Sequence, residues 1–135
     1  MSDQNIKRET KKTPSKSDGS QSVSPNGLKQ SLPSEVRVLG RTFRVEMASL
    51  DEEDVLGDTV GLYRRIRVSQ DLTRKQQWTT FVHEWAHAVL YVNGVSSVIP
   101  DEVEEIIVQS MEHAVEELLE QVGEDLLKHL SLPED

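Results

Sequence analysis

The chain has 135 residues and no cysteine, and its 24 acidic side chains outnumber 15 basic ones for a formal charge of −9. The lack of cysteine excludes disulfides and thiolate metal ligands, leaving His, Asp and Glu as donors for any metal site. The acidity argues against binding a nucleic-acid backbone, where affinity comes from Lys and Arg neutralising phosphates. No apolar run reaches the roughly 18 residues of a membrane span and the amino terminus has no signal-peptide core, so the expected setting is the cytoplasm.

Residues 1–34 carry six basic and three acidic side chains, whereas residues 35–135 carry nine and 21. The first stretch is rich in Ser, Lys, Gln, Asn, Gly and Pro, with Val23, Leu28 and Leu32 isolated in it. It has too little apolar surface to offset its ordering entropy and reads as a disordered basic tail. Residues 35–135 read as a single domain.

That domain opens with β-type sequence over residues 36–47, a turn at Gly40-Arg41, and Val36, Val38, Phe43, Val45 and Met47 as candidate inward positions. The acidic run at residues 51–54 reads as a solvated loop, because no glycine-centred calcium-loop spacing accompanies it. A second β region over residues 59–69 follows Gly57-Asp58, and the two would form a small antiparallel sheet. Arg64, Arg65 and Arg67 would blunt its exposed edge.

Thr73-Arg-Lys-Gln76 has the form of a capping box and Asn93-Gly94 that of a helix stop, which predicts a helix of about twenty residues between them. Trp78, Phe81, Val82, Trp85, Val89 and Val92 fall on one side of this helix, with His83 and His87 nearly opposite. A second helix begins near Asp101 and carries an apolar stripe through Val103, Ile106, Ile107, Met111, Ala114, Val115, Leu118, Leu119 and Val122. Gly123 should bend it before a short continuation through Leu126, Leu127 and Leu130.

The first of these helices contains His83-Glu84-Trp85-Ala86-His87, an H-E-x-x-H sequence. Residues four apart stack on one helix face, so both imidazoles can hold one metal ion, and Glu84 beside them can serve a metal-bound water as general base. Such a site needs a third protein ligand. Leu90 and Asn93 stand where a metzincin-type pattern requires glycine and histidine, so the donor should be a carboxylate of the second helix. Among Asp101, Glu102, Glu104, Glu105 and Glu112, Glu104 falls nearest the middle of the apolar stripe, where an unpaired carboxylate is costly to bury and a metal-bound one is not. Glu104 is therefore the preferred third ligand to Zn2+, although Asp101-x-x-Glu104 also has the form of a capping box. Tyr91, His113 and Tyr63 are the available oxyanion donors, and no spacing selects one.

His83-Glu-Trp-Ala-His87, the upstream Leu62-Tyr63 and Ile66-Arg-Val68, and the acid-led Glu104-x-x-Ile107-x-x-x-Met111 together resemble the small ImmA/IrrE-like zinc metallopeptidases. The resemblance is closest to the short forms encoded by phages and covers roughly residues 36–120. It implies a minimal zincin-like α+β fold, a ligand set of His83, His87 and an acid of the next helix, Glu84 as base, and a protein or peptide substrate in a host cytoplasm. This chain has Glu105-Ile106 where members often have Ala-Asn after the ligand. A substrate strand would pair with an exposed sheet edge. The competing expectation is a zinc-stabilised or inactive interaction module that docks through its acidic helix and terminal leucines. Oligomeric state is not legible.

Overall fold

A computed structural model describes residues 31–51 and 54–132, together with the backbone of residues 7–11. Among these residues the elements are β1 (Lys7–Lys11), β2 (Glu35–Val38), β3 (Arg41–Ala48), β4 (Val55–Val60), β5 (Arg65–Ser69), α1 (Arg74–Val92), a 3-10 turn (Val95–Ser97) and α2 (Asp101–Ser131). The α+β expectation, with a small sheet followed by two helices, is met.

The sheet runs in the order β1-β4-β5-β3-β2. It is mixed, not antiparallel throughout: β5 pairs antiparallel with β4 and parallel with β3. The hairpin β2–β3 turns at Leu39-Gly40, one residue before the expected position, with φ of 49° and 86°. Two successive positive φ values give the primed turn whose twist suits a two-residue hairpin. Val38, Phe43, Val45, Ile66 and Val68 alternate inward from these strands as core, while Met47, at 41% exposure, does not.

Three further expectations change. β4 begins at Val55, so Gly57 and Asp58 lie inside a strand and not in a loop before one. Arg67 is in the interior strand β5 and forms a two-pronged ion pair with the buried Asp58 of β4, its register partner, instead of guarding an edge. The stretch expected to be a tail contributes to the fold where it is described: Lys7–Lys11 pair with β4, Leu32 packs on the core, and the Ser34 carbonyl accepts from Val45 N. Residues 1–6 and 12–30 of that expected tail lie outside the described residues, as do residues 52 and 53 of the acidic loop.

α1 starts at the expected capping box: the Thr73 hydroxyl accepts from Gln76 N and the Gln76 side chain accepts from Thr73 N. Its packing face, with Phe81, Val82, Trp85, Ala88, Val89 and Val92, covers the sheet. The helix comes close at Gly57, where a Cβ would fall 2.8 Å from Thr80 Cγ2 and 2.6 Å from the Arg67 carbonyl oxygen of β5. Glycine there lets the helix descend onto β4.

The opposite face of α1 meets the first half of α2. Ala86, Leu90 and Val108 form a second buried cluster, flanked by Trp85, Val95, Ile107 and Met111. Past Met111 the apolar stripe of α2 has no packing partner among the described residues: Leu118, Leu127 and Leu130 are 50%, 64% and 73% exposed. The helical path breaks at Val122 (φ −135°, ψ 16°), directly before Gly123 and so at the expected bend. No helix among the described residues is long and apolar enough to cross a membrane.

Candidate metal centre

His83 and His87 sit one turn apart on the α2-facing side of α1, their ring centroids 5.1 Å apart and both side chains buried. Each ring is held at Nδ1 by a carboxylate of α2. His83 Nδ1 lies 2.8 Å from Glu112 Oε1, and His87 Nδ1 lies 2.7 Å from Glu104 Oε2. The order of these pairs, 87 with 104 and 83 with 112, runs the two helices antiparallel. An ionised carboxylate accepts and cannot donate, so the proton of each such contact sits on Nδ1, and a ring carrying that single proton presents its Nε2 lone pair.

Those two Nε2 atoms point into the same space. Both are fully buried and have no hydrogen-bond partner among the described residues. Glu105 is the neighbour of both, with Oε1 3.5 Å from His83 Nε2 and Oε2 3.0 Å from His87 Nε2, yet neither approach is aligned as a hydrogen bond. Two lone pairs facing a carboxylate repel one another unless a cation lies between them. Buried polar atoms without partners are uncommon, and this group has the composition of a His₂-carboxylate metal site. His83, His87 and Glu105 could hold a metal ion, their ligand atoms all lying within 4.8 Å of one another. A tetrahedral zinc site needs donors about 3.4 Å apart, and the Glu105 oxygens stand at 3.5 and 3.0 Å from the two Nε2 atoms.

The third carboxylate at this cluster is therefore Glu105 and not the expected Glu104. Successive helical residues project 100° apart, so α2 places Glu104 and Glu105 on either side of the His87 ring. Glu104, fully buried, takes the Nδ1 side, and Glu105 takes the Nε2 side toward solvent. The burial argument for Glu104 is right about its depth; the partner is an imidazole N–H. The capping-box alternative does not form either, since the N-cap is Pro100 and no side chain caps this helix. Asp101 and Glu102 are exposed at its start.

Glu84 projects from α1 toward β4 and is fully buried. The Thr59 hydroxyl lies 2.7 Å from Glu84 Oε1 and 2.9 Å from the Glu84 carbonyl oxygen, and its one proton serves one of them at a time. Nothing in the sequence singles out Thr59. Glu112 has a faint signal, standing seven residues after Glu105 and so on the same helix face. Of the three oxyanion candidates, Tyr63 is 59% exposed in the β4–β5 turn, the Tyr91 ring lies against Gly61, and His113 is exposed on α2. None has a described contact with the cluster.

The chain matches no protein-family model, no curated protein and no solved structure.

Proposed function

We propose that this chain is a zinc-dependent peptidase of the ImmA/IrrE-like kind, with His83 Nε2, His87 Nε2 and Glu105 as metal ligands and Glu84 as general base. One observation carries the reading: two buried imidazole nitrogens, each ring held by a carboxylate at its other nitrogen, converge on a third carboxylate and have no hydrogen-bond partner among the described residues. The charge balance agrees. Glu104, Glu105 and Glu112 all lie against the two buried rings, and gathering three carboxylates there without a cation is costly.

A zinc ion bound there supplies a Lewis acid for the scissile carbonyl and acidifies a water. Glu104 and Glu112 hold the rings in the ligating tautomer and make the nitrogens more basic. Glu84, fixed at Oε1 by Thr59, accepts a proton from the attacking water and returns it to the leaving amine. The peptide C–N bond breaks, one product takes the hydroxyl as a carboxylate, and the other leaves as an amine.

The competing reading is a metal-stabilised interaction module, favoured by the exposed leucines of distal α2. Cleavage of a quenched-fluorescence peptide pool by zinc-loaded wild type and by Glu84→Gln separates the two. The peptidase reading expects a loss of roughly a hundredfold or more in the variant with metal content unchanged. Equal rates in the two proteins, or no cleavage by either, would overturn it.

A further inference from the structure

The strand that holds Glu84 has its outer edge covered by the chain's own amino-terminal segment. β4 pairs with β5 on one side and with Lys7–Lys11 on the other, so β1 is the terminal strand of the sheet at the end nearest Glu84. In the antiparallel register Arg8 stands opposite Thr59, Glu9 opposite Asp58 and Thr10 opposite Gly57. Thr59 hydrogen-bonds Glu84, and Gly57 is where α1 comes down on the strand, with Glu84 Cγ 3.4 Å from its missing Cβ. An extended backbone in the β1 position therefore runs alongside the residues that position Glu84. The other sheet edge, β2, lies at the far end and offers no such neighbour.

We propose that the outer edge of β4 is a strand-binding surface for an extended basic peptide, and that residues 7–11 are its occupant within the chain. Three observations favour it. A sheet edge satisfies any extended backbone through main-chain hydrogen bonds. The occupant is short and its pairing shifts register between Thr10 and Lys11, so few bonds hold it. The occupant carries three basic residues against one acid, while residues 35–135 carry nine against 21, which gives the pairing a long-range attraction. The inference rests on the proposed function for its chemical meaning, since a peptide in this slot is the substrate class that Glu84 would serve. While β1 holds the edge, external peptides compete with an intramolecular strand, whose effective concentration is on the order of millimolar.

The test uses the full chain. Arg8→Pro with Glu9→Pro removes two consecutive N–H donors; in an antiparallel ladder successive residues face opposite ways, so one of the two points at β4. Amide exchange is then followed along β4 by NMR. Every second amide of β4 faces β1 and the others face β5. Exchange should rise by roughly tenfold or more at the β1-facing set and stay unchanged at the β5-facing set, where general destabilisation would speed both. A synthetic peptide with the sequence of residues 5–13, added at millimolar concentration, should shift the same alternate amides in the double-proline chain and leave wild type unshifted. Unchanged or uniform exchange, or equal peptide responses in the two chains, would overturn the inference. Neither readout passes through hydrolysis, so an inactive protein with a peptide-responsive β4 edge would sink the peptidase reading and leave this one standing.

Discussion

At the residue scale, adjacent side chains do different work because a helix separates them by 100°. Glu104 and Glu105 flank the same imidazole, one donating order at Nδ1 and the other facing Nε2. Replacing Glu105 with Ala removes a proposed ligand, whereas Glu104→Gln keeps a hydrogen-bond acceptor at Nδ1 and weakens only the polarisation of His87. Competition with a chromogenic chelator should show metal affinity falling further in Glu105→Ala than in Glu104→Gln, for which roughly a tenfold to hundredfold loss is expected. Thr59→Val removes the hydroxyl from Glu84 Oε1. It should lower turnover by about tenfold with zinc content unchanged, as measured by elemental analysis beside initial rates. The H-E-x-x-H pair and the buried acid at 104 were legible in the sequence because helical spacing fixes which face they share. Which of two neighbouring acids meets Nε2 depends on how α2 is rotated and crosses α1, which is set by Val108 and Met111 packing on Ala86 and Leu90. Thr59 comes from a strand 25 residues earlier and no local pattern marks it.

At the element scale, α1 is specified locally and α2 is specified only over the half that packs. The capping box at Thr73 and Gln76 forms as the sequence predicts, and Thr73→Ala should cost about 1 kcal/mol in denaturant unfolding. Periodicity in α2 reveals an apolar face but cannot say whether anything covers it. Ile107, Val108 and Met111 pack on α1, whereas Val103 and Ile106 before them and Leu118, Leu127 and Leu130 after them are exposed. Leu127→Ser with Leu130→Ser should therefore shift unfolding free energy by less than about 0.5 kcal/mol each, whereas Val108→Ala, in the covered half, should cost about 1–2.5 kcal/mol. The bend before Gly123 was legible because glycine inside a helix weakens it, whatever the tertiary context.

For the whole molecule, α1 is sandwiched between a sheet and a helix, and the candidate centre lies at the second of these contacts. Strand positions were legible from alternation in β2, β3 and β5. The parallel β3–β5 pairing was not, because pairing partners are a non-local choice that alternation leaves open; β1 was missed because polar, basic sequence carries no strand signal of its own. With His83 and His87 on α1 and Glu104, Glu105 and Glu112 on α2, a bound metal ties the two helices together, so its binding energy adds to the stability of the fold. At free zinc about 100-fold above the dissociation constant the gain is about 2.7 kcal/mol. For a folded part of this size that corresponds to roughly 10–20 °C in melting temperature. Differential scanning fluorimetry with zinc and then with excess chelator should show this shift in wild type and its loss in His87→Ala.

The proposed metal centre requires His83, His87 and Glu105 to converge on one cation. The most direct measurement is the metal content of the purified chain after zinc loading and exhaustive dialysis, with His87→Ala, Glu105→Ala and Glu104→Gln treated in parallel. The expected result is about one zinc per chain in wild type, loss in His87→Ala and Glu105→Ala, and weakened retention in Glu104→Gln. A wild-type chain that retains no metal, or a Glu105→Ala protein that holds zinc as tightly as wild type, would contradict it.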